Sequence, residues 1–352
     1  MLVREVNTPT TTSNQYRRSE SIWRVFIDII CLSILLAASL VSHYLIEPFT
    51  RGFFCSDTSI RYPYKGDTIP FYAAAILSVV LPIIWMWTTE FAKRFYYNRY
   101  PKEVFLTHLE CCGGRITTIT PFVRNLYILT VVFGYGYLST WILTEITKNF
   151  VGELRPHFLA VCQPTIDCST LSLDQFNSYL QFGINYTCLN TNSDLVRDAR
   201  RSFFSGHTSP IFFGFGWLIM YIHVSWSWRY LGIIGNMFQT GLAILGLFIG
   251  YSRIFDFHHH WNDVLVGGIV GSLVAFVSFK FILDWHRYSP NFLPYIISNK
   301  AEKQISSIDG NIPIDTSLST LRLHPNHDRV ANRFNRNYYD ADHHFVEQNH
   351  HF

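Results

Sequence analysis

The chain has 352 residues, of which 49% are hydrophobic, 17% aromatic and only 15% charged, and its mean hydropathy is +0.13. Soluble proteins carry about 25% charge, whereas uncharged stretches of about 20 residues recur here, which excludes disordered, collagen-like and small disulfide-scaffold classes and points to an integral membrane protein. The net charge of +3 is too small to imply nucleic-acid binding.

Six candidate spans follow in chain order: Ile22–Leu45, the uncharged stretch between Asp67 and Glu90, Asn125–Thr144, a segment within Ser202–Trp228, Tyr230–Ser252, and Val264–Asp284. Trp85 and Trp87 suit an interface, and Lys280 can snorkel from the last span. The expectation is an all-α bundle of six transmembrane helices over 22–284. A polar N-terminal tail over 1–21 precedes it and a polar tail over 285–352 follows. The first tail is long for a signal-peptide n-region, so span one reads as an uncleaved signal-anchor. The second balances seven basic against seven acidic residues and reads as disordered.

Positive charge sets the orientation. The N-terminus holds Arg4, Arg17, Arg18 and Arg24, and Lys93, Arg94, Arg99, Lys102 and Arg115 follow span two, which places both termini in the cytosol. The outer loops are then roughly 46–69, 147–202 and 252–263. Lys148, Arg155, Arg197, Arg200 and Arg201 sit in the middle loop against that rule and need a separate explanation. Asn185-Tyr186-Thr187 is a glycosylation sequon, usable only on the outer side. Cys55, Cys162, Cys168 and Cys188 also fall there, with three disulfide pairings open. Cys31 reads as helix packing, and Cys111-Cys112 as either a palmitoylation site or two unmodified thiols.

Three clusters lie at the outer ends of spans: Lys148-x6-Arg155-Pro156, Ser205-Gly206-His207, and Ser252-Arg253-x5-His259-x3-Asp263. Singly each is ordinary, as an interface anchor, a helix N-cap or a packed histidine. Together they describe a phosphate site. Lys148, Arg155 and Arg253 would repel one another unless an anion joined them, and guanidinium suits phosphate oxygens. Gly206 lets backbone N–H groups at the start of span four approach the anion closely. His259 and Asp263 are four apart, so the carboxylate can hold one imidazole nitrogen protonated and leave the other to attack. His207 can then give a proton to the departing oxygen. A metal centre on His258-His259-His260 with Asp256 and Asp263 is weaker, because adjacent histidines on a helix cannot all turn to one ion and no second carboxylate cluster completes a two-metal site.

This pattern resembles the type 2 phosphatidic acid phosphatase (PAP2) superfamily, and over Arg51–Cys55, Arg155–Leu159, Ser202–Ser209 and His259–Leu265 its animal lipid phosphate phosphatase branch. Phe204 stands where the wider superfamily has proline; an aromatic there resembles the animal branch. The resemblance implies His259 as nucleophile, Asp263 as its orienting partner and His207 as proton donor. It implies phosphate binding by Lys148, Arg155 and Arg253 with Ser205 and Gly206 assisting, and no metal or other cofactor. His258 and His260 remain rivals of His259 in the sequence alone. The function expected is a lipid phosphate phosphohydrolase acting on phosphatidate, lysophosphatidate, sphingosine 1-phosphate or ceramide 1-phosphate. Its site would face the outside or lumen, at the plasma membrane or an endomembrane such as the endoplasmic reticulum. A homo-oligomer stays open. The rival is an inactive relative that binds lipid phosphates; such relatives lose motif residues, and Lys148, His207 and His259 are all present.

Overall fold

A long apolar run in a bilayer must satisfy its peptide groups within itself, and a helix does so. The computed structural model describes residues 19–99, 107–110, 116–226 and 233–283, and six helices there are long and apolar enough to cross a membrane. Helix α1 spans Ile22–Tyr44. The second crossing is composite: α2 (Phe71–Ala75) passes through a π turn at Ile76–Val80 into α3 (Leu81–Arg99). That wider turn precedes Pro82, which cannot donate to the Ser78 carbonyl and whose ring would clash with it in a regular helix. Helix α4 (Pro121–Val151) begins on a proline, where the missing N–H costs nothing.

Three short helices, α5 (Phe158–Cys162), α6 (Leu173–Phe176) and α7 (Ser193–Asp198), punctuate the connection to α8 (Thr208–Ser225). Helix α9 (Ile234–Phe255) and α10 (Trp261–Val277) follow, and a π turn over Ser278–Ile282 extends α10. Five short strands complete the described residues: β1 (Ser19–Ser21), β2 (Phe53–Phe54), β3 (Thr107–Glu110), β4 (Ile116–Ile119) and β5 (Tyr179–Leu180). β3 pairs parallel with β1 and antiparallel with β4, and β2 pairs antiparallel with β5. The first 18 residues, Cys111-Cys112 and the tail over 285–352 lie outside the described residues.

Helix α8 is the axis of the bundle and the most buried of the six crossings. Phe213, Trp217 and Tyr221 on it pack with Met86, Phe133 and Phe279. α10 meets α8 through Gly267, Gly268 and Gly271, small residues that let two helix backbones come close. α1 lies at the rim against α4, with most of its apolar surface facing outward. Cys31 is exposed on that surface rather than packed inside. Asp28, the one acid within α1, accepts the Tyr127 hydroxyl.

A second core lies beyond the helix ends, where the segments 46–70 and 152–207 fold on one another. Phe53, Leu154, Phe158, Val161, Leu180 and Tyr186 are buried there. Disulfides Cys55–Cys168 and Cys162–Cys188 staple it, which selects one of the three pairings the sequence leaves open. The basic residues that defied the charge rule are used within this layer. Arg197 donates to the His43 and Ile46 carbonyls that end α1. Arg200 stacks over Phe158 and Phe182, and Arg201 pairs with buried Glu145. Asn185 is exposed, its Oδ1 accepting from the Gln181 N–H at 2.8 Å.

Candidate active site

Lys148, Arg253 and Asp263, expected at or beyond span ends, sit inside helices. α4 runs on to Val151, α9 to Phe255, and α10 starts at Trp261. The charge-free windows ended too early because these ionic groups are packed against partners in the protein rather than exposed to lipid.

Lys148 lies in the last turn of α4, which stops at Gly152, a residue with φ of 56° whose N–H caps the Lys148 carbonyl. Its ammonium rests on the backbone of Gly206, where a Cβ would stand 2.6 Å from Nζ. The absence of a Cβ at Gly206 thus makes room for the end of the lysine side chain. Ser205 is wholly buried, and its groups are engaged within the protein: its N–H donates to the Asp263 carbonyl at 3.1 Å, and its Oγ accepts from Thr208 N and Oγ1. The serine fastens the start of α8 to α10, and His207 follows as the residue that opens α8.

Arg155 and Arg253 reach the same place from opposite sides. Arg155 Nη2 donates to Asp198 Oδ1 at 2.7 Å, and Nη1 lies 3.2 Å from His258 Nδ1. Arg253 is fully buried; Nη1 donates to Asp67 Oδ1 at 2.6 Å and lies 3.5 Å from His207 Nε2, while Nη2 donates to Asp256 Oδ2 at 3.2 Å. Asp67 and Asp198 were not singled out as site residues in the sequence, and Asp256 was named there only as a candidate metal ligand. The signal was physical: three permanent cations in one place need counter-charge, and the protein supplies it from neighbouring segments.

The three consecutive histidines diverge. His258 is held at both ring nitrogens, by Arg155 and by the Lys65 carbonyl at 3.0 Å. His260 caps α10, its Nδ1 lying 3.5 Å from Asp263 Oδ2 and 3.8 Å from Glu153 Oε1. His259 turns Nδ1 toward Asp263 Oδ2 at 3.4 Å, an electrostatic contact that is longer than a well-formed hydrogen bond. Oδ2 of Asp263 also accepts from Ser202 Oγ at 2.5 Å and from the His260 N–H at 3.0 Å, so the carboxylate is fixed from two sides. Ser202 is a further residue the motifs did not reveal. Of the metal-type groups, Glu153, His260 and Asp263 gather ligand atoms within 4.8 Å of one another. Among the described residues, neither His258 nor His259 belongs to that group.

Electrostatics sort the imidazoles. Burial, then Arg253, His259, Lys148 and Arg155, hold His207 far below its usual range. Burial, helped by Arg155 and Lys148, outweighs the opposing pull of Asp263 and lowers His259 to about 3. His260 is raised, because Asp263 and Glu153 outweigh its burial. His207 and His259 are therefore neutral in the empty site at neutral pH. A cavity of about 520 Å³ opens alongside, lined by Tyr62, Glu153, Phe257, His259, His260 and Trp261 among others.

Buried cations thus surround two imidazoles, one of them beside a fixed carboxylate. The sequence profile described as "PAP2 superfamily" matches residues 129–287, from α4 to just past α10. Phospholipid phosphatase 1 of Rattus norvegicus is 33% identical over 287 residues, covering 80% of this chain and 90% of the relative. Phospholipid phosphatase 2 of Homo sapiens is 30% identical over 269 residues, covering 76% and 85%. No solved structure matches. The chain belongs to the PAP2 superfamily, in its phospholipid phosphatase branch, and is a multi-pass integral membrane protein.

Proposed function

We propose that the protein is a lipid phosphate phosphohydrolase that works through a phosphohistidine. Lys148, Arg155 and Arg253 receive the phosphate of a lipid monoester. His259, its Nδ1 proton held toward Asp263, attacks phosphorus through Nε2 and breaks the bond to the lipid oxygen, which takes a proton from His207. Water then attacks the phosphohistidine, giving its proton to His207, and inorganic phosphate leaves. Phosphatidate, lysophosphatidate, sphingosine 1-phosphate and ceramide 1-phosphate carry the required headgroup at the interface. The proposal places both termini in the cytosol and the site at the outer or lumenal face, at the plasma membrane or an endomembrane.

The observation that carries this reading is the gathering of cations at His207: Arg253 Nη1 lies 3.5 Å from His207 Nε2, and the Lys148 ammonium rests on Gly206, the residue before it. A phosphate dianion entering there reverses the local field and supplies the proton affinity His207 needs as a general acid. The two engaged ring nitrogens of His258 support His259 as the nucleophile. The test is phosphate release from phosphatidate in detergent micelles with EDTA present. Wild type is expected to turn over, and His259→Ala to lose about 10³-fold or more. Turnover abolished by EDTA, or retained in the variant, contradicts the mechanism.

A further inference from the structure

Arg253 has two carboxylates before any ligand arrives. Its Nη1 arm, the one facing His207, is taken by Asp67 Oδ1 at 2.6 Å. A phosphoryl group held between His207 and His259 needs that same arm. Two anions on one guanidinium nitrogen repel, so one must give way.

The two acids are held very differently. Asp256 is wholly buried and accepts from Thr68 N and Oγ1 at 2.8 Å each, with Lys65 Nζ at 2.9 Å. Among the described contacts Asp67 has Arg253 and, at 3.3 Å, His258 Nε2, and its side chain is 35% exposed. It also stands in a stretch without regular secondary structure, ahead of α2. Asp67 can move into water; Asp256 cannot. Asp198 bears the same relation to Arg155, at 2.7 Å and with a side chain 51% exposed.

We propose that Asp67 is a resident counter-anion of the phosphate site: it occupies Arg253 Nη1 while the site is empty, yields it to the phosphoryl group, and takes it back as phosphate leaves. The inference rests on the phosphatase reading above and adds a residue that sets how readily the product departs. Asp67 acts through Arg253, so it is a positioning residue. Its presence keeps three buried cations tolerable without substrate and weakens binding of free phosphate.

The test is equilibrium binding of inorganic phosphate to the purified full-length protein in detergent, for wild type, Asp67→Asn and Asp67→Ala, beside phosphate inhibition of phosphatidate hydrolysis. Removing a charge-assisted competitor is expected to tighten phosphate binding at least about 10-fold in both variants. KM is expected to fall more than kcat changes, a pattern that mere loosening of the fold does not produce. Phosphate binding that is unchanged or weaker in the variants overturns the proposal and makes Asp67 an orienting residue for Arg253. Binding is read without turnover, so a wild type that binds phosphate but fails to hydrolyse lipid phosphate contradicts the phosphatase reading and still leaves Asp67 decided by its own comparison.

Discussion

A wholly buried guanidinium such as Arg253 is tolerable only with fixed partners, because an unpaired buried charge costs several kcal/mol. Asp67 is invisible as a motif residue because it stands 186 residues from Arg253; Asp256, three residues after Arg253, is at ion-pair spacing along the chain but was read as a metal ligand. His259, Asp263, His207, Lys148, Arg155 and Arg253 could be named from the sequence because they stand in three ordered motifs; their roles belong to the proposed mechanism. Ser205 was legible as a position but not as a contact: a phosphate-binding serine and one that fastens α8 to α10 look alike in a string of letters. Gly206 carries a sharp prediction. An alanine Cβ would meet the end of the Lys148 side chain, which can bend away, and no backbone stands in its path. Gly206→Ala is expected to keep its melting temperature while losing about 10- to 100-fold in kcat/KM, since the ammonium is displaced from the anion site. A comparable loss of melting temperature without that kinetic change would contradict the placement of Lys148.

The crossings themselves were legible as apolar runs, but their ends were not. Hydropathy stops at the first charge, whereas α4, α9 and α10 continue through Lys148, Arg253 and Asp263 because the protein, rather than lipid, surrounds those groups. The layer beyond the helix ends was read as loops, yet it holds a core of its own and the pairs β2–β5 and Cys55–Cys168. Those disulfide partners are 113 residues apart, so the bond closes a long loop and joins the segment bearing Asp67 to the one after Arg155. Cys55→Ser is expected to destabilise the protein by about 2–5 kcal/mol, read by thermal unfolding in detergent. Equal stability of variant and wild type would show that the layer is held by its apolar core alone.

For the molecule as a whole, stability should depend on pH through histidines that fold in the neutral form. Burial holds His259 to about 3, and burial with the Arg155 charge holds His157 to about 4, against 6.5 for an unperturbed imidazole. Above 6.5 neither state binds these protons, so the groups contribute no slope. Below it the unfolded chain takes up protons that the native state refuses, and stability falls as the pH drops toward 4. His260, raised by Asp263, contributes its slope on the other side of 6.5, where its stabilisation is lost as the pH rises, and leaves the acid limb to the lowered histidines. The melting temperature is expected to decline between pH 6.5 and 4; a flat or rising profile would mean the imidazoles are charged in the native state. The family and six-helix architecture were already implied by three motifs set among apolar runs, whereas the counter-ions Asp67 and Asp198 depended on tertiary contacts that sequence spacing does not encode. One experiment separates a histidine phosphatase from a binder: brief reaction with phosphatidate labelled in its phosphate, acid- and base-stability of the protein-bound label, and its location. The expected result is an acid-labile, alkali-stable label on His259 that His259→Ala abolishes. A label that survives in that variant, or turnover with no protein-bound label at all, would contradict it.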